Sequence, residues 1–123
     1  MTTVLVVDDE PTIRELVVEV LRLEGYAAVG AADGRAALAA MEEAAPDLVL
    51  MDVMMPGLDG RAAYLAMRAR PAGVAIPVVL MSAAADPARL PAGVAAFLPK
   101  PFDLEQLLGL VARLLPDGAG RPD

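Results

Sequence analysis

Four short apolar runs, VLVV (4–7), LVLM (48–51), PVVLM (77–81) and AAFL (95–98), have no polar residue inside them. A strand exposed on one face alternates in polarity, so an unbroken run reads as a strand covered on both faces. AAV (27–29) is a weaker fifth run. Longer segments of helical period separate them. Ile13, Leu16, Val17, Val20 and Leu21 fall at i, i+3, i+4, i+7 and i+8, with Pro11 in the first turn and Gly25 at the exit. Asp33 opens a second helix through Leu38 and Met41 that stops before Pro46, and residues 60–69 make a third with Tyr64, Leu65 and Met67 as apolar positions. Asp103 caps a last helix whose stripe is Leu104, Leu107, Leu108, Val111 and Leu115. Strands separated by helices form a parallel sheet with helices on both faces, because parallel neighbours need right-handed crossovers. The predicted fold class is therefore α/β, a doubly wound five-stranded parallel sheet.

In such sheets chemistry collects outside the carboxyl ends of the strands. There the first run ends in Asp8 and Asp9, the third in Asp52, the fourth in Ser82 and the fifth in Lys100. Each has an ordinary explanation taken singly. Asp8, Asp9 or Glu10 can cap the helix near Pro11, Asp52 can form an Asx turn, and Ser82 can be a turn hydroxyl. Lys100 can be a solvated charge, and Met51, Met54 and Met55 are adaptable packing before they are a copper site. Independent accidents do not all land on one edge of a sheet.

Composition narrows the chemistry further. The 123 residues suit one domain and include no cysteine and no histidine, which removes disulfides, thiolate or imidazole metal ligands and every Ser-His or Cys-His arrangement. A metal site must then be built from oxygen, favouring Mg²⁺, Ca²⁺ or Mn²⁺. A net charge of −7 argues against direct contact with nucleic acid or an anionic membrane. The amino terminus shows no leader pattern and no run is long enough to span a bilayer, so a cytoplasmic location is expected. Three close carboxylates repel unless a hard divalent cation intervenes. A carboxylate can also act as nucleophile and form an aspartyl phosphate, with a metal and an ammonium neutralising the transferred group.

The segments VLVVDDEP, DLVLMDVMMPGLDG, VVLMSA and FLPKPF, in this order, resemble the receiver domain of bacterial two-component response regulators, over residues 3–115. The resemblance implies a flavodoxin-like strand order 2-1-3-4-5, with residues 1–115 as the receiver and 116–123 as a disordered tail. It implies Asp52 as phosphoacceptor. Asp9 would be a direct Mg²⁺ ligand, Asp8 a ligand acting through water, and Met54 a ligand through its backbone carbonyl; Mn²⁺ is an alternative ion. Ser82 and Lys100 would contact the phosphoryl group, Phe97 would be the aromatic switch, and the Lys100–Pro101 bond would be cis. The phosphoryl donor would be a sensor histidine kinase or a histidine phosphotransfer protein. The domain would catalyse only its own Mg²⁺-dependent phosphotransfer and a slow autodephosphorylation, whose rate the residues at Met54 and Ala84 would set. Output would pass to an unknown effector protein.

Ser82 and Lys100 are 18 positions apart, roughly one helical turn short of the family spacing, and the connection holds Pro87 and Pro91. A shortened or irregular fourth helix is expected, and with it a monomer or weak dimer. Three competing readings remain. A phosphohydrolase with an aspartate nucleophile needs a second acid where this chain has Met54. A flavin mononucleotide binder needs a phosphate loop where it has DDEPT. An inactive pseudo-receiver would not require Asp8, Asp9, Asp52, Ser82 and Lys100 together.

Overall fold

The computed structural model describes residues 2–83 and 90–115. Five strands, β1 (Thr3–Val7), β2 (Ala27–Ala31), β3 (Leu48–Asp52), β4 (Val78–Ser82) and β5 (Ala96–Pro99), form one sheet in the order β2-β1-β3-β4-β5. Every pairing is parallel, with Val4 beside Leu48, Val49 beside Val78, and Val79 beside Ala96. Among the described residues the α-helices are α1 (Pro11–Leu23), α2 (Gly34–Ala44), α3 (Gly60–Arg68) and α4 (Leu104–Leu114).

Successive side chains of a strand point to opposite faces, and the core divides accordingly. Leu5, Val7, Val49, Met51, Val78 and Leu80 pack with Ala37, Leu38 and Met41 of α2 and with Ala63, Tyr64 and Met67 of α3. Val4, Val6, Leu48, Leu50, Val79 and Met81 pack with Val17 and Leu21 of α1 and with Leu107, Leu110 and Val111 of α4. Both faces are thus covered, which is why β3 and β4 read as unbroken apolar runs. Both are buried along their whole length.

Caps place the helix starts. Asp33 accepts from Ala36 N–H at 2.8 Å and Asp59 from Ala62 N–H at 2.9 Å. Asp103 and Gln106 form a reciprocal capping box at α4. Gly60 is required by space: a Cβ there would lie 2.8 Å from Val53 Cα and closer still to the Asp52 carbonyl oxygen. The first turn of α3 therefore sits directly on the end of β3.

Three helix-face expectations are corrected. Leu16 and Leu65 are half or more exposed, because the stripes that meet the sheet run through Val17 and Leu21 in α1 and through Gly60, Ala63, Tyr64 and Met67 in α3. In α4 it is Leu110 that is buried with Leu107 and Val111, while Leu104, Leu108 and Leu115 sit at the border of the core. A short 3₁₀ turn at Pro71–Gly73, not foreseen, joins α3 to β4. In the β4–β5 connection, residues 90–95 hold no helix and turn at Ala92 and Gly93, so Pro91 lies in a non-helical stretch. Pro87 and the 116–123 tail lie outside the described residues.

Candidate functional site

The carboxyl edge of the sheet gathers the acids. Asp8 follows β1 and is fully buried, Asp52 is the last residue of β3 and 5% exposed, and Asp9 is exposed. One carboxylate oxygen from each lies within 4.8 Å of the others. The two buried acids are held by backbone donors. Glu10 N–H donates to Asp8 Oδ1 at 2.9 Å, and Met54 N–H donates to Asp52 Oδ1 at 3.2 Å. The capping and turn explanations are therefore true in part. Glu10 occupies the N-cap of α1 without a side-chain cap, and both acids close Asx-type turns with their other oxygens turned to a common point.

Lys100 stands at that point. Its Nζ is 2.8 Å from Asp8 Oδ2 and 3.3 Å from Asp52 Oδ2. Its own N–H donates to the carbonyl of Ser82 at 3.0 Å, which fastens the turn after β5 to the end of β4. Ser82 is the last residue of β4 and buried. The Lys100–Pro101 peptide bond is cis. Phe97, on β5, is half-buried against the α2–α3 face of the core. Met54 follows β3 and is 57% exposed. Ala84 lies outside the described residues.

Burial pushes the Asp52 carboxyl above the usual carboxylate range. Lys100 and the Met54 N–H oppose that push, and the nearby charge of Asp8 adds to it. Burial also pulls Lys100 down, but its hydrogen bond to Asp8 and the charges of Asp8 and Asp52 outweigh it. The ammonium is held above the ordinary lysine value. One cation among three carboxylates leaves the cluster negative, and its donors are all hard oxygens.

Comparison with known proteins identifies the family. The sequence matches the response regulator receiver domain over residues 4–112. The chain belongs to the response regulator receiver family. It is 40% identical to the response regulator MprA of Mycolicibacterium vanbaalenii, over 95% of this chain and 54% of that protein. It is 38% identical to the DNA-binding response regulator MtrA of Mycolicibacterium smegmatis, over 90% of this chain and 50% of that protein. This receiver therefore spans about half the length of the curated relatives it matches. Among solved structures it resembles the chemotaxis protein CheY4 of Vibrio cholerae, with 34% identity and a TM-score of 0.85, covering 93% of this chain and 98% of that one. It resembles equally well the receiver domain of the sensor histidine kinase PA1611 of Pseudomonas aeruginosa, solved with a magnesium ion in its active-site cleft. There the identity is 31% and the TM-score 0.85, over 94% of this chain and 98% of that one.

The acidic pocket of this receiver fits the Mg²⁺ that receivers bind, since its donors are carboxylates brought within the span of one small ion. No described helix is long and apolar enough to cross a membrane. Two residues that support the site escaped the sequence reading. Gly60 lets α3 seat against the Asp52 carbonyl. Arg14 donates from Nη1 to the carbonyl oxygen of Asp8 at 2.9 Å.

Proposed function

We propose that this receiver takes a phosphoryl group onto Asp52 from a histidine kinase or a histidine phosphotransfer protein, and that the change of charge alters the surface an effector protein reads. The observation that carries this is the position of Asp52, joined to Asp8 by a shared ammonium and within one ion's reach of Asp8 and Asp9. An Asp52 carboxylate oxygen attacks the phosphorus of phosphohistidine. A phosphorus–oxygen bond forms, the phosphorus–nitrogen bond breaks, and the imidazole departs with the electron pair. Asp9, Asp52, the Met54 carbonyl and, through water, Asp8 would hold Mg²⁺, which would neutralise the phosphoryl oxygens; Mn²⁺ would suit the same donors.

Lys100 pairs with a phosphoryl oxygen, and the Ser82 hydroxyl donates to another. With that hydroxyl drawn toward the phosphate, Phe97 turns inward and the outer surface of β5 changes. The protein turns over nothing but its own phosphoryl group, and a cytoplasmic setting suits a partner of this kind. The test is incubation with acetyl phosphate and Mg²⁺, followed by intact mass measurement. Labelling is expected in the parent and not in Asp52→Asn. Labelling that persists in the variant would place the acceptor elsewhere.

A further inference from the structure

The cleft between α1 and β2 is lined by Arg14, Glu15, Val18, Glu19, Arg22 and Gly30. Helical side chains lean toward the helix amino terminus, so Arg14 in the first turns of α1 can reach back to the β1–α1 junction. Its stem lies over Gly30 of β2, where an added Cβ would come within 3.2 Å of both Arg14 Cγ and Cδ. Gly30 thus contributes room for the arginine. Beyond it, Nη1 donates to the Asp8 carbonyl oxygen at 2.9 Å.

That carbonyl belongs to the peptide unit joining Asp8 to Asp9. A peptide unit is planar, so holding its oxygen sets the direction in which the chain enters Asp9. Asp8 has further restraints of its own: its N–H donates to Ala31 O at 3.1 Å, and its two carboxylate oxygens take Glu10 N–H and Lys100. Asp9 is exposed, and the direction of its carboxylate depends on the backbone that carries it. We propose that Arg14 is a positioning residue of the metal site: it holds the Asp8–Asp9 peptide so that the exposed Asp9 carboxylate stays within reach of Asp8 and Asp52, with Gly30 as the space its stem requires. The inference rests on the reading of this cluster as the Mg²⁺ centre.

The test compares parent, Arg14→Met, Arg14→Lys, Gly30→Ala and Asp9→Ala. Mg²⁺ affinity is read by calorimetry well below the unfolding temperature, and the Asp9 and Glu10 amide signals are read by NMR in chelator. Loss of a residue that orients a ligand costs about tenfold or more in metal affinity, which is the loss expected for Arg14→Met. Arg14→Lys, which keeps a donor and a charge, should recover part of it. Gly30→Ala should weaken binding to a lesser degree without removing any charge. The Asp9 amide should shift in both Arg14→Met and Gly30→Ala before any metal is added. A role in stability alone would lower the melting temperature and leave the affinity at the parent value. Parent-like affinity in Arg14→Met and Gly30→Ala, beside a clear loss in Asp9→Ala, would overturn the inference and leave the metal site standing. Unchanged binding in Asp9→Ala would instead overturn the metal site itself. Should Arg14→Met fail to fold, Arg14→Lys and Gly30→Ala decide the matter by the same two readouts.

Discussion

Lys100 donates to Asp8 Oδ2 at 2.8 Å across 92 residues of sequence and three strand positions of the sheet. At the usual strand spacing those positions span about 14 Å, more than a lysine side chain can cover alone. The turn after β5 must lean over the end of β4, and the bond from Lys100 N–H to Ser82 O holds it there. From that perch one ammonium serves two buried carboxylates.

Removing that ammonium should expose the repulsion it offsets. Lys100→Met leaves Asp8 and Asp52 facing each other with only their backbone donors, and removing one partner of a buried ion pair costs about 3–5 kcal/mol. In chelator the variant should melt well below the parent. Millimolar Mg²⁺ should restore much of the difference, because a divalent cation fills the same electrostatic role. Equal melting of variant and parent in chelator would show that the lysine is not needed to hold the acids together.

Asp52 gives a pH dependence of known sign. Its raised pKa means that the native state retains a proton which the unfolded chain releases, so stability falls as pH rises from the ordinary carboxylate value through the raised one. Above that window the whole cost of the buried charge is present. Asn bears no such charge. In chelator, Asp52→Asn should therefore be more stable than the parent at pH 7, with an advantage that shrinks as the pH falls through the window. Saturating Mg²⁺ should reduce or reverse it, since the parent gains a ligand interaction that the variant lacks. Thermal melts across pH with and without metal check this, and an advantage that grows toward low pH would contradict it.

The strands were legible because both faces of the sheet are covered, which removes polar interruptions from runs such as Leu48–Met51. Acids at their ends stood out for the same reason. Leu16, Leu65 and Leu110 were not assigned to their proper sides because hydrophobicity alone does not say where the sheet lies; the small residues Gly60 and Ala63 mark the buried face of α3 better than Leu65 does. The partnership of Lys100 with Asp8 depends on contact across 92 residues, and no local pattern encodes it. Arg14 was hidden differently. Its six-residue reach back to a backbone carbonyl has no periodic signature, and its one sequence trace is a glycine in a strand, Gly30, where close approach is a standing explanation.

Tyr64 ties α3 to the β4–β5 connection. The residue is 2% exposed, its hydroxyl donates to Ala92 O at 3.0 Å and accepts from Arg68 Nε at 3.2 Å, and the Arg68 guanidinium lies 4.8 Å from the ring centroid. Gly93, with φ of +87°, has no room for a Cβ because the same hydroxyl would be 2.7 Å away. Tyr64→Phe keeps the ring and removes the tie. It should cost about 1 kcal/mol and speed amide exchange around residues 92–94 while leaving Mg²⁺ affinity unchanged. Unaltered exchange there would mean that the connection is held by its apolar contacts instead.

The phosphorylated state should be long-lived. Hydrolysis of an aspartyl phosphate needs a water in line with the phosphorus, opposite the leaving carboxylate oxygen. The residue two places beyond the acceptor borders that approach in receivers, and here it is Met54. Met54 is 57% exposed, so its side chain is free to lie over a phosphoryl group, and a thioether is too weak an acceptor to hold a water. Ala84, the second bordering position by resemblance, brings no polar group either. Phosphorylated protein should accordingly persist longer than in receivers with polar residues at both places. Met54→Asn should shorten that lifetime, and Met54→Asn combined with Ala84→Glu should shorten it further. Water positioning worth about 1.4 kcal/mol would make the combined change about tenfold. The measurement is the decay of labelled protein after the phosphodonor is removed, with no phosphatase present and Mg²⁺ saturating for every variant. Identical decay in the double variant and the parent would show that some other feature limits the approach of water.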